Sequence, residues 1–191
     1  MRLLRALFVA ALPLVVFSRS VWMDRHWAFE LLEVAGVLLV IAAVLGRFWA
    51  ILYVGGRKTR TVMQDGPYSV VRHPLYVSST IGIVGFGLML GSLVLTALVG
   101  GLTFLILRAQ AIREEHHLRA IHGKAWDDYA ARVPRLVPDP RLFRTDPDVT
   151  FRVSELRRNF GDALGFLCLI PFAELMEVLK EYAMVPTFPI F

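Results

Sequence analysis

Gln64-Asp65-Gly66-Pro67-Tyr68-Ser69-Val70-Val71-Arg72-His73-Pro74-Leu75-Tyr76-Val77-Ser78 decides how this chain folds, because it delivers a turn and a cluster of polar side chains straight into an uncharged run. Gly66 and Pro67 set the turn. Arg72 and His73 supply donors suited to an anionic or polar ligand. From Leu75 to Leu107 no residue is charged. Those 33 residues would make one helix of about 50 Å, against a hydrocarbon core of roughly 30 Å. The run is therefore read as two helices, Leu75–Leu90 and Leu93–Leu107, turning near Gly91-Ser92. The second is expected to continue past the bilayer through Arg108 toward Ile121. A rigid cationic loop at a membrane surface is a place to hold a soluble polar molecule beside a lipid-phase one.

The rest of the chain extends this reading. Of its 191 residues 56% are hydrophobic, and the mean hydropathy of +0.56 is too high for an ordinary soluble domain. The expected fold is an all-α integral membrane protein with five transmembrane helices, a tight helical hairpin and a cytoplasmic pocket. Leu3–Phe17 is read as a retained helix, because Phe17-Ser18-Arg19-Ser20 is a poor signal-peptidase site. Leu31–Val54 is the second helix, with Glu33 and Arg47 near its ends. Phe160–Leu179 is a weaker fifth, carrying Asp162, Pro171, Glu174 and Glu177, and an interfacial position suits it as well. The lone Cys168 excludes an intramolecular disulfide and a cysteine-based zinc site.

The net charge of +5 sits in loops rather than on a continuous face, which points to lipid headgroups and topology rather than nucleic acid. Arg57, Lys58, Arg60 and Arg72 lie in the segment 55–74, and eleven more cations lie between Arg108 and Arg158. The opposite loops hold only Arg19 and Arg25. The N-terminus and both basic segments are accordingly expected in the cytoplasm and the C-terminus outside. Three segments follow: N-terminal helices over 1–54, a core over 55–138, and a basic linker with a C-terminal helix over 139–191.

The second basic segment contains Glu114-Glu115-His116-His117-Leu118, then Gly123, Trp126, Tyr129, Arg135 and Pro138. Adjacent histidines point about 100° apart on a helix, so His116, His117 and His122 make a poor ligand set and no metal is expected. Ser78 or Ser79 one turn from His73 suggests a hydrolase pair, but no oxyanion-hole signature accompanies it. Dinucleotide, Walker A, zinc-protease and nucleophile-elbow motifs are absent from the sequence. Gly123 suits a helix C-cap, and Lys124–Arg132 reads as a short helix with Trp126 and Tyr129 on one side.

Taken together, the two segments resemble the isoprenylcysteine carboxyl methyltransferases and the related phospholipid N-methyltransferases. One block is Gly66, Tyr68, Arg72, His73, Pro74 and Tyr76. The other is Glu114, Glu115, Leu118, Gly123, Trp126, Tyr129, Arg135 and Pro138, with Trp126 where tyrosine is commoner. The resemblance runs from about Leu45-Gly46 to Pro138 and implies methyl transfer from S-adenosylmethionine to a lipophilic acceptor. It also implies a cofactor set of Asp65, Gly66, Pro67, Tyr68, His73, Tyr76, Ser78, Glu115, Tyr129 and Arg135.

The residues fit that implication. Cationic donors suit the cofactor's carboxylate, and Glu115 suits its hydroxyl or amino groups. Tyr68 or Tyr129 offers a ring to its sulfonium. Arg108, at the end of the uncharged run, would hold an anionic acceptor, with Arg72 or Arg113 as the alternative cation, and Glu114 would serve as base for an amine or phenol. The acceptor itself stays open between a prenylated thiol-acid, a phospholipid amine, a small thiol and a quinone-like phenol. The membrane sterol reductases are similar over the same two blocks, which keeps NADPH-dependent reduction as an alternative, beside a non-enzymatic membrane protein.

Overall fold

The computed structural model describes residues 2–21, 26–54, 61–148, 153–182 and 186–190. Arg57, Lys58 and Arg60, which the orientation argument uses, lie outside them. The helices are α1 (Arg2–Phe17), α2 (His26–Val54), α3 (Pro67–Val70), α4 (Pro74–Met89), α5 (Leu93–His122), α6 (Lys124–Ala130), α7 (Val153–Leu167) and α8 (Leu169–Glu181). Two three-residue strands, β1 (Ser18–Ser20) and β2 (Phe188–Ile190), pair in parallel, with Ser18 opposite Phe188 and Ser20 opposite Ile190.

Among the described residues, two helices are long and apolar enough to cross a membrane, His26–Tyr53 and Leu93–His122, while α1 and α4 are apolar but shorter. The exposed face of α2 carries Trp27, Leu31, Val34, Leu38, Ile41, Leu45 and Trp49. That three-and-four spacing makes one continuous stripe. At 1.5 Å per residue the two tryptophans stand about 33 Å apart, the separation of the two interfaces that flank a bilayer core. The uncharged run does split at Gly91-Ser92, and α5 continues without a break to His122.

The expected helix over Phe160–Leu179 is instead two shorter helices that meet at Cys168. Pro171 supplies the reason. It cannot donate a backbone hydrogen bond, and its ring would clash with the carbonyl of Leu167, the last residue of α7.

The chain divides into two compact units. Met1–Val44, Thr80–Ile106 and Leu164–Phe191 form one, and Leu45–Ser79 with Leu107–Ala163 form the other. They cut across the contiguous segments expected from sequence because α2, α4 and α5 each contribute to both. In the first unit Val40, Ile83, Met89, Leu95, Val99, Ala173 and Met176 make the core. Gly36 and Gly85 let the backbones of α2 and α4 approach closely, since a Cβ on either would strike the other's carbonyl oxygen. The Ser20 hydroxyl donates to the Gly91 carbonyl at 2.6 Å, so the α1–α2 connection, the α4–α5 turn and, through β2, the C-terminus gather at one end.

The second unit has its own cluster of Trp126, Tyr129 and Val133, against which Val62 and Leu118 pack. On α5 the buried positions Leu95, Val99, Thr103, Leu107, Ala111 and Glu115 recur every fourth residue, a stripe that winds slowly round the helix and ends in a buried carboxylate.

Candidate functional site

The site lies in the second unit and begins at the Gly66 turn. Gly66 has φ of 58°, in the left-handed region, and an added Cβ would run into the Tyr53 ring, so only glycine fits. Pro67 then opens α3, a single buried turn, and Pro74 opens α4 two residues after Arg72. The segment after α6 fastens this loop. Arg72 N–H donates to the Pro134 carbonyl, Asp139 N–H to that of Val70, and Gly66 N–H to that of Arg144, at 2.9, 3.0 and 2.8 Å. Buried Ser69 completes the clasp, donating to the Gly66 carbonyl at 2.7 Å and accepting from the Arg144 N–H at 3.0 Å.

The centre of the site is Glu115. Its side chain is 9% exposed. Arg135 makes a two-pronged contact with it, Nε to Oε1 at 2.9 Å and a second guanidinium nitrogen to Oε2 at 2.8 Å. Another guanidinium nitrogen, from Arg72, lies 3.0 Å from Oε2, and His73 Nε2 lies 3.1 Å from Oε1. The two arginines respond in opposite directions. Burial holds the Arg72 guanidinium below its usual range despite Glu115. The more exposed Arg135 is raised, chiefly by its hydrogen bonds to the same carboxylate. The adjacent Glu114 is half-buried and accepts from the Tyr76 hydroxyl at 2.8 Å. The Tyr76 ring stacks on His73 with centroids 5.2 Å apart and planes 3° from parallel.

In front of this network is a small cavity of about 70 Å³, walled by Tyr68, Arg72, His73, Tyr76, Glu114, Trp126 and Tyr129, with Met63 and Leu118 among its apolar surfaces. Tyr129 is fully buried and donates to the Tyr68 carbonyl at 2.8 Å. Burial raises the Tyr68 and Tyr129 phenols, so both stay protonated and neither is a base near neutral pH. Arg72 Nε is buried and carries a proton that no described group accepts. A charged donor left in that state costs free energy, which a ligand oxygen would recover.

On the other side of Pro74 is a larger cavity of about 550 Å³. Gly46, Trp49, Pro67, Val70, Val77, Ser78, Pro138 and Phe143 are among its walls, and nearly all are apolar.

The fold thus brings together Tyr68, Arg72, His73, Tyr76, Glu114 and Tyr129 around one cavity, and Pro67 with Ser78 around its neighbour. Asp65 and Gly66 shape the turn between them and line neither. Glu115, expected to accept from the cofactor, instead has both oxygens engaged by protein donors, and Arg135 stands with it behind the cavity wall. Arg108 is exposed on α5, two turns before Glu115 on the same face, and lines neither cavity. Arg113 is exposed and donates to Gln110. Among the described residues no group of three or more His, Cys, Asp or Glu side chains is placed to hold a metal ion.

No local pattern marks Thr61–Met63, Gly46, Trp49 or Phe143 as wall residues. Pro74, Leu118, Trp126 and Pro138, which also line the cavities, do carry a signal, since they stand in the two blocks.

An apolar helical scaffold thus carries a buried Arg–His–Glu network beside two cavities, and similarity says which family builds it. Residues 25–125 match the phospholipid methyltransferase family. The chain is 35% identical to the nickel-cobalt-cadmium resistance protein NccN of Alcaligenes xylosoxydans xylosoxydans over 96% of its own length and 85% of the relative's. It is 36% identical to the cobalt-zinc-cadmium resistance protein CzcN of Cupriavidus metallidurans, over 93% and 81%. It is 31% identical to the protein-S-isoprenylcysteine O-methyltransferase of Schizosaccharomyces pombe, over 42% and 34%. No solved structure matches. The chain belongs to the phospholipid methyltransferase family, a group of membrane methyltransferases.

Proposed function

We propose that this protein transfers a methyl group from S-adenosylmethionine to a lipophilic acceptor at the cytoplasmic face of the membrane. The observation that carries the reading is the buried, unaccepted Nε–H of Arg72, a residue in the wall of a cavity that four aromatic side chains, His73 and Glu114 also line. The cofactor supplies a methyl group on a positively charged sulfur. Its residues fit: tyrosine and tryptophan faces attract a cation, and a guanidinium donor suits an oxygen brought alongside it.

The small cavity is read as the reaction chamber. The cofactor's remaining body lies along the turn at Asp65–Tyr68, and the acceptor's apolar part lies in the larger cavity across Pro74. Methyl transfer is a displacement at carbon, so the protein's work is orientation and exclusion of water. Arg72 holds the acceptor's oxygen, a role the sequence first offered to Arg108. The core over 55–138 then carries the chemistry, with 139–145 as the clasp that closes it.

The direct test is calorimetric titration of the detergent-purified protein with S-adenosylmethionine, with its demethylated product and with NADPH. Saturable binding of the first two, in the micromolar range by order of magnitude, supports the reading. Silence with both and binding of NADPH would replace it by reduction. A radiolabelled-methyl assay on extracted membrane lipids then finds the acceptor class, a carboxylate as in the yeast relative's name or a lipid amine.

The orientation belongs to the same proposal. β1 follows α1, and β2 pairs with it at the end of the chain. An N-terminus inside then puts the C-terminus outside, with α7 and α8 crossing together as one broken span. A reporter active only in the cytoplasm should work when fused after Pro138 and be silent after Phe191. Activity at both positions would leave α7 and α8 on the cytoplasmic face.

A further inference from the structure

The larger cavity has one polar side chain set deep in its wall, and the transfer chemistry makes no use of it. Ser78 is 7% exposed and lines that cavity from α4. Its neighbour Ser79 spends its hydroxyl on the Leu75 carbonyl, at 2.7 Å. Ser78 makes no such bond. Its Oγ stands against Gly46 on α2, where an added Cβ would lie 2.7 Å away, and no described group pairs with it. A buried hydroxyl left unpaired costs free energy that a partner recovers. Water is a poor partner here, because an ordered water needs several polar neighbours and the other walls are nearly all apolar. An oxygen carried on an apolar body suits the place better. No charged side chain lines the cavity, so that body is uncharged.

The walls also select a shape. Pro67, Pro74, Pro138 and Pro140 contribute four rigid rings. Trp49 and Phe143 meet in a tilted contact, with ring centroids 5.9 Å apart, and both are exposed. Trp49 belongs to the exposed apolar stripe of α2, so the cavity's rim continues the surface that the bilayer covers. Flat, stiff walls give a flat ring more contact than a flexible chain, and little conformational freedom is then lost on either side. At about 550 Å³ the cavity is in the size range of pockets that enclose a small ring-bearing molecule. We infer that the larger cavity takes a flat, uncharged, hydroxylated ring of the phenol or quinol class from the membrane, and that Ser78 recognises its oxygen. The inference rests on the reading of this cavity as the acceptor's place, and it selects the ring-bearing lipid among the acceptors left open by the sequence. A plain prenyl or acyl chain would fill the same space and leave Ser78 unpaired.

Calorimetric titrations of the full-length protein test this with a decyl-substituted para-hydroquinone, decylbenzene, N-acetyl-S-farnesylcysteine and the demethylated cofactor. Comparing variant with parent cancels each probe's partitioning into detergent. The parent should bind the hydroquinone saturably. Ser78→Ala should weaken the hydroquinone on the order of tenfold and leave decylbenzene within about twofold. The demethylated cofactor should also stay within about twofold, which shows that the variant is folded. Equal weakening of the hydroquinone and decylbenzene would make Ser78 a packing residue and overturn the assignment. A loss confined to the demethylated cofactor would move Ser78 to the cofactor's site and overturn it too. Binding of the farnesyl thiol-acid without the hydroquinone would make the occupant a chain, with the same result. If the parent ignores the demethylated cofactor yet binds the hydroquinone through Ser78, the methyl-transfer reading fails and the ring site stands. If the parent binds the cofactor and its hydroquinone affinity does not depend on Ser78, only this assignment fails.

Discussion

Arg72→Ala should cut methyl transfer at least roughly 100-fold, the scale for losing one positioned charged donor in a site sheltered from water. Binding of the demethylated cofactor should stay within a few-fold of the parent. Arg72 is 13% exposed, one guanidinium nitrogen pairs with Glu115 at 3.0 Å, and Nε is buried without an acceptor. The side chain is thus held at one guanidinium nitrogen, while its Nε–H has no acceptor among the described groups. The alanine variant removes that donor but leaves Glu115 its bonds to His73 and Arg135. Arg72→Lys should recover only part of the rate, because an ammonium cannot pair with Glu115 and present a second donor in a fixed plane.

Arg108→Ala is the control. That side chain is exposed and lines neither cavity, so transfer should stay within a few-fold. Calorimetry and a radiolabelled-methyl assay measure the two quantities separately. A dead Arg108 variant beside an active Arg72 variant would place the acceptor along α5 and remove Arg72 from the chemistry.

Much of this arrangement is legible in the sequence because hydropathy and helix punctuation are local. The uncharged run is too long for one helix, so a turn had to fall inside it, and Gly91 takes it with φ of 66°. Gly123 ends α5 as a C-cap glycine does, and Trp126 with Tyr129 then falls on one side of α6. Pro171 was visible too. Weighed by hydropathy alone, Phe160–Leu179 looks like one weak span, yet a proline just past the midpoint carries a stronger instruction to break.

Long-range partnership was not legible. Glu114 and Glu115 are the same residue type side by side, and nothing local says that three donors from distant segments converge on the second alone. The carboxylate expected to meet the cofactor is the one that Arg72, Arg135 and His73 hold, and its neighbour lines the cavity. The clasp at Ser69 and Arg144 is invisible for the same reason, since it joins a hydroxyl to a backbone N–H 75 positions away, a donor that nearly every residue has.

Glu115→Ala should be the most damaging single change in the site, costing about 3–5 kcal/mol because it strands buried charges rather than because a strong bond is lost. Arg72 and Arg135 converge on this carboxylate, and each lowers the other's tolerance for charge once it is gone. His73 loses its Nε2 partner at the same time. Because Arg72 and His73 lead directly into Pro74 at the start of α4, loosening them loosens the turn that walls both cavities. Thermal unfolding in detergent should therefore shift downward on the order of 10 °C, and cofactor binding should disappear together with transfer.

Arg135→Ala tests whether the damage comes from stranded charge or from lost bonds. It deletes the two-pronged contact, but its own side chain is 35% exposed and Glu115 keeps Arg72 and His73. Its cost should be smaller, about 1–2 kcal/mol. Near-equal destabilisation by the two variants would mean that the contact itself carries the stability. A Glu115→Ala protein that melts with the parent and still binds cofactor would show that the buried cations find other partners, and Glu115 would lose its place at the centre of the site.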